Sequence, residues 1–153
     1  MTTIVGDWRR KVIVTDSQYS DTDTNTKYFD EKCSRIPDGW FAGAGNFGDC
    51  EKVLQYLRTK SKVPPKLKNN DNSFMILTDE GLQVSDDGIE WEPVRTFMAI
   101  GSGIHAAEAI MRAGGTAEDA VYWACQVDLM SHEPVKVYSL NSKEPITWIK
   151  PIA

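Results

Sequence analysis

The chain predicts an α+β fold in which antiparallel sheet carries helices layered on its faces. Three observations lead there. Short β-branched or apolar runs recur between tight-turn signals, helical spacing occurs in three places, and the order is strands, one helix, strands, two helices, strands. Alternating βαβ units would instead place a helix between successive strands.

Thr3-Ile4-Val5 and Val12-Ile13-Val14 flank Arg9-Arg10 and predict a hairpin. Ser17 to Thr26 is rich in Asp, Thr and Ser and reads as a solvated loop. Ser34 to Ile36, the Pro37-Asp38-Gly39 turn and Trp40 to Ala44 form a second predicted hairpin. A helical pattern follows from about Asp49 to Lys60, with Asn46 and Asp49 spaced as an N-cap pair. Pro64-Pro65 and a polar end make Ser61 to Asn72 a loop. Phe74–Leu77, Leu82–Val84 and Glu90–Trp91 read as short strands, separated by the turns Asp79-Glu80-Gly81 and Asp86-Asp87-Gly88.

Phe97 to Ile100 is an apolar strand running into Gly101-Ser102-Gly103. The helix after it places Ile104, Ala107, Ile110 and Met111 on one face and stops at Gly114-Gly115. Thr116 and Asp119 suggest a capping box for a further helix to about Val127, with Val121, Ala124 and Val127 inward. Val135–Leu140 and Ile146–Ile149 close the chain as strands.

At 153 residues the chain suits one domain, residues 1–153, with a core that needs no disulfide or structural metal. A net charge of −5 without a long Lys/Arg block argues against a nucleic-acid binder. No apolar run is long enough to span a membrane, and the start lacks the charged-then-apolar pattern of a secretory signal. Cys33, Cys50 and Cys125 are odd in number and never in CxxC, which fits a reducing cytoplasm and neither a disulfide framework nor a zinc site. His105 and Glu108 share a helical face, but His132 is the only other histidine, so no metal site is expected. No cofactor is expected either.

The start of the chain carries the sharpest chemistry. If Met1 is removed, Thr2 holds a hydroxyl and a free amine, a nucleophile and its own base in one residue. Gly43-Ala44-Gly45-Asn46-Phe47-Gly48 fits GxGxxG between a strand and a helix, and a nucleotide-binding module is one alternative. That fingerprint needs parallel βαβ units and an acidic residue about 20 positions on. Here that distance falls in the proline loop and hairpins follow. Gly101-Ser102-Gly103 has an ordinary reading, Ser102 as a helix N-cap. No Gly-x-Ser-x-Gly elbow is present. Alone, Lys32 reads as a surface lysine and Asp128 as a helix-end carboxylate.

Together these residues resemble the proteasome β-subunit superfamily of N-terminal nucleophile hydrolases, most of all its bacterial HslV branch. Thr2-Thr3-Ile4-Val5 is similar to the mature start of that branch. Asp16 in Thr-Asp-Ser-Gln matches the family's Gly-Asp-Gly-Gln aspartate, and Lys32 follows sixteen residues later with Arg35-Ile36 beyond it. Ala44-Gly45 through Asp49 resembles the Ala-Gly-Gly…Asp segment, and Ala99-Ile100-Gly101-Ser102-Gly103 the family's Ala-Ile-Gly-Ser-Gly. Asp128 and Ser131 resemble the aspartate and serine next to that serine, although His132-Glu133-Pro134 stands where glycines are usual.

The resemblance, from Thr2 to about Leu140, implies a four-layer αββα sandwich of two antiparallel sheets. Its first helix layer would be shortened, because Asp49 to Gly101 is a short interval and the Pro64-Pro65 loop stands where a second helix would be. It implies a threonine peptidase: Thr2 as nucleophile, Asp16 holding Lys32, Gly45 N–H at the oxyanion, and Ser102, Asp128 and Ser131 ordering the amine and water. The implied partners are peptide or unfolded-protein substrate, a homo-oligomeric ring and an AAA+ ATPase unfoldase. The other class is a non-catalytic family member, an assembly subunit that retains Met1.

Overall fold

Two five-stranded antiparallel sheets stack face to face, with two helices covering one outer surface and one helix the other. The computed structural model describes residues 2–21, 26–29 and 31–152. In chain order the elements are β1 (Thr3–Asp7), β2 (Val12–Thr15), β3 (Gln18–Asp21), β4 (Thr26–Phe29), β5 (Cys33–Ile36), β6 (Gly39–Ala44), α1 (Phe47–Thr59), β7 (Ser73–Thr78), β8 (Gly81–Ser85), β9 (Glu92–Val94), β10 (Phe97–Gly101), α2 (Ile104–Arg112), α3 (Ala117–Val127), β11 (Val135–Ser139) and β12 (Ile146–Trp148). One sheet has the order β10-β1-β2-β11-β12 and the other β5-β6-β7-β8-β9.

The period-two alternation of a strand explains the layers. Ile4, Ile13 and Ile100 point from the first sheet to the interior, where they meet Trp40, Ala42, Met75 and Leu77 of the second. Val5, Val14 and Ala99 point the opposite way and pack under Ala107 and Met111 of α2 and Ala120, Val121 and Ala124 of α3. Phe41, Phe74 and Ile76 leave the other side of the second sheet and bury Val53 and Leu54 of α1. Strands covered on both faces cannot alternate with polar residues, which is why β1 and β2 are buried throughout. Trp40 ties the two sheets, its Nε1–H donating to Ser139 O at 2.9 Å while its ring meets Tyr138 edge-on. The first helix layer holds α1 alone; residues 61–72, with Pro64-Pro65, contain no further helix.

The hairpins β1–β2 and β5–β6 and the caps at Asn46 and Thr116 form where the sequence places them. Four expectations are corrected. The polar stretch from Ser17 to Thr26 is not simply a solvated loop: β3 pairs antiparallel with β4 as a separate ribbon, and residues 22–25 lie outside the described residues. A ladder needs only backbone groups, so polarity alone does not forbid it. The third short strand begins at Glu92 and not at Glu90, because the Ile89 and Glu90 amides are taken by Asp87 Oδ1. Ser102 is not the cap of α2; Gly103 holds that position without a side-chain bond. Val127, expected inward, is 68% exposed at the last turn of α3. Every neighbouring pair of strands is antiparallel, so the parallel frame that a Gly43–Gly48 dinucleotide site requires is absent among the described residues.

Candidate active site

β1 lies between β2 and β10, so its first residue sits beside the ends of both neighbours. Asp16 N donates to Thr3 O at 3.2 Å just beyond β2, and Ser102 N donates to Thr2 O at 2.7 Å just beyond β10. Gly101 makes that approach possible. Its φ is +100°, and a Cβ there would lie 1.9 Å from Thr2 O.

Asp16 is fully buried, and each of its oxygens is engaged. Oδ1 accepts from Thr2 Oγ1 at 2.5 Å, Lys32 Nζ at 2.9 Å and Thr3 N at 3.0 Å. Oδ2 accepts from His132 N at 3.1 Å and Gln18 N at 3.2 Å. A carboxylate surrounded by donors and one ammonium is the arrangement that makes burial of its charge tolerable. Burial lowers the Lys32 ammonium from its usual range, opposed by the charge and hydrogen bond of Asp16.

A second cluster adjoins the first. Asp128 caps the C-terminal end of α3, and its Oδ2 accepts from Ser102 Oγ at 2.5 Å and Ser131 Oγ at 2.6 Å. Ser131 Oγ lies 2.7 Å from Thr3 Oγ1; since Ser131 donates to the carboxylate, Thr3 is the donor of that bond. Burial alone would raise the Asp128 carboxyl, but the two serine hydroxyls and Met130 N outweigh it and hold it below the usual range.

Gly45 faces Thr2 across a cleft of about 430 Å³ that Asn46, Asp71, Ser102 and Ile104 also line. Its φ is +132°, and a Cβ would lie 2.2 Å from Asn72 Oδ1, so glycine is required on two counts. Asn72 Oδ1 accepts from Asn46 N at 2.8 Å, and Asn72 Nδ2 donates to Asp49 Oδ2 at 3.0 Å. Asp49 also accepts from Lys68 N and Asn69 N, each at 2.9 Å, so one buried carboxylate pins the 68–72 segment against the Gly45–Asn46 turn. Burial raises this carboxyl, and those amides more than offset it, leaving it below the usual range.

The structure therefore brings Thr2, Asp16 and Lys32 into one cluster and Ser102, Asp128 and Ser131 into another, with Gly45 opposite. Sequence reasoning missed Thr3 and Asn72. Thr3 reads as a β-branched strand residue, and Asn72 as one polar residue among several in Asn69-Asn70-Asp71-Asn72. Burial pushes the Cys125 thiol up to about 12, with Asp16 adding to it, and the Cys50 thiol to about 12 as well. Neither is a thiolate at neutral pH. No group of three or more His, Cys, Asp or Glu side chains among the described residues is placed to hold a metal. No helix among them is long and apolar enough to cross a membrane.

No family model and no curated protein sequence matches the chain. Solved structures do. A Thiobacillus denitrificans BPH structure in complex with epoxomicin aligns with a TM-score of 0.70 at 17% identity, covering 89% of this chain and 96% of that one. Eukaryotic HslV from Trypanosoma brucei gives 0.67 at 20% identity over 89% and 97%. A further T. denitrificans BPH structure gives 0.66 at 18% identity over 94% and 99%. The sheet orders, the helix layers and these alignments agree: the chain has the two-sheet sandwich fold of N-terminal nucleophile hydrolases such as HslV.

Proposed function

We propose that the chain is a threonine peptidase of the HslV/proteasome β class, with Thr2 as nucleophile once the Met1–Thr2 bond is cut. The observation that carries this reading is the sharing of Asp16 Oδ1 by Thr2 Oγ1, Thr3 N and Lys32 Nζ. A buried ion pair at the first strand's start has little structural purpose that an apolar pair would not serve as well. It has a chemical purpose if the start of that strand reacts.

In the proposed reaction Thr2 Oγ attacks the substrate carbonyl and its proton passes to the Thr2 amine, directly or through water. A free α-amine titrates near ~7.7–8.0. A neighbouring Lys32 ammonium lowers that further, because like charges disfavour the protonated form, so more of the amine is free base at neutral pH. The Gly45 N–H receives the developing oxyanion. The C–N bond then breaks, the amine returns its proton to the leaving nitrogen, and an acyl ester on Thr2 remains. Water hydrolyses that ester by the same proton path in reverse, releasing the acid and restoring the hydroxyl. Ser102, Asp128 and Ser131 hold the Thr2 carbonyl and the water. Apart from water, every catalytic group in these steps belongs to the chain itself.

The wider proposal places this site inside a homo-oligomeric ring fed with unfolded chains by an AAA+ ATPase; the likeness to HslV supports it. A non-catalytic assembly subunit is the second reading, favoured by one observation: Thr2 is 4% exposed and its hydroxyl is spent on Asp16. The test is a fluorogenic peptide amide given to chain whose intact mass shows Thr2 first. Cleavage that disappears in Thr2→Ala supports the peptidase; cleavage unchanged in Thr2→Ala, or none from the wild-type chain, overturns it.

A further inference from the structure

We propose that the cleft selects peptides with a lysine or arginine side chain next to the bond to be cut, and that Asp71 is the residue that reads that charge. The inference rests on the peptidase reading and names its substrate class.

Among the side chains of the described residues that line the cleft with Thr2 and Gly45, that of Asp71 alone is ionisable. No lysine or arginine of the described residues lines it, and the Thr2 amine is uncharged in the free-base form that the reaction uses, so a carboxylate side chain entering there meets the like charge of Asp71. Asp71 belongs to none of the ion pairs among the described residues, which join Arg9 to Asp7, Arg10 to Glu118, Lys32 to Asp16 and Lys150 to Asp119. Its charge is therefore available to a ligand.

Asp71 is also held in place. Asn69, two residues before it, and Asn72, the residue after it, are fixed by Asp49: Asn69 N donates to Asp49 Oδ2 at 2.9 Å, and Asn72 Nδ2 to the same oxygen at 3.0 Å. Asn72 Oδ1 then joins this segment to the cleft's other rim through Asn46 N. An exposed carboxylate on a loose loop discriminates poorly, whereas one on a pinned segment keeps its position relative to Thr2.

The rest of the lining suits the same side chain. Ile100 and Ile104 give the cleft an apolar wall for the methylene stem of lysine or arginine, while Asp71 takes the charged head. A purely aliphatic side chain would use only the wall, and a short acidic one neither feature. Because Asp71 is solvent-exposed, the discrimination is modest, about three- to tenfold.

The experiment compares three peptide amides, identical except for lysine, norleucine or glutamate before the scissile bond. Substrates are given to chain whose mass shows Thr2 first, at low and high salt. The expected order in kcat/KM is lysine over norleucine over glutamate, narrowing at high salt. Asp71→Asn, nearly isosteric, should level the charged pair, and Asp71→Lys should reverse it. Cleavage that ignores charge, or the same order in Asp71→Asn as in wild type, overturns the inference and leaves the peptidase standing. Absence of cleavage of all three overturns the peptidase and the inference with it. Peptide binding to Thr2→Ala, read by fluorescence anisotropy, should show the same charge order without turnover; equal affinity for lysine and glutamate peptides also overturns the inference.

Discussion

Lys32 Nζ lies 2.9 Å from Asp16 Oδ1, with 3% of the lysine side chain and none of the aspartate exposed. Such a pair is costly to half-remove. Lys32→Ala strands a buried carboxylate and should cost about 3–5 kcal/mol of stability, measured by urea unfolding. Peptide cleavage should fall at least as far as folding allows. The double variant Asp16→Asn/Lys32→Met should recover much of the stability and none of the activity, which separates the pair's chemical role from its structural one.

Gly45→Ala meets two obstacles, a left-handed φ of +132° and the Asn72 oxygen 2.2 Å from the new Cβ. The turn must shift, and the 45 N–H with it. Losing one oxyanion donor lowers kcat by on the order of 10²–10³. Steady-state kinetics should show that fall in kcat with a much smaller change in KM, and circular dichroism should show the fold retained.

Ser102 and Ser131 donate to one oxygen, Asp128 Oδ2, and should not act independently. Each alanine variant alone leaves the other serine on the carboxylate. The double-mutant cycle in kcat/KM should give a coupling of about 0.5–3 kcal/mol, whereas a pair formed from Ser131 and the distant, exposed Lys62 should give none.

Asp49 and Asp128 have carboxyls below their ordinary value of 3.8 in the folded chain. The unfolded chain therefore takes up more protons as the medium is acidified. Their stabilisation is complete above pH 3.8 and is lost as pH falls through the lower folded values. Thermal unfolding across that range should show the decline, and Asp49→Asn should make it shallower, since an amide at that position has no proton to gain, while the part due to Asp128 remains.

Much of the fold was legible because its elements follow local rules. The β-branched runs Thr3–Val5 and Val12–Val14, the Asn46 and Thr116 caps and the Pro37-Asp38-Gly39 turn all depend on near neighbours. The exceptions depend on distant groups. Ser102 would be a cap by its position, but a carboxylate from the end of α3 takes its hydroxyl. Glu90 would start a strand by composition, but Asp87 holds its amide. Of the candidate site, Thr2 was named from its own hydroxyl and potential free amine and the other six residues from the resemblance, whereas Asn72 and Thr3 make their contacts only after the chain folds, with Asn46, Asp49 and Ser131. Residues of that kind leave no spacing signal.

Covalent labelling tests the central claim most directly. Chain whose mass shows Thr2 first is treated with a threonine-directed electrophile, and the adduct is located by peptide mass mapping. The account predicts one adduct per chain, on Thr2, with loss of peptide cleavage in proportion to labelling. An adduct on another residue such as Cys125, or cleavage that persists after Thr2 is fully labelled, would contradict it.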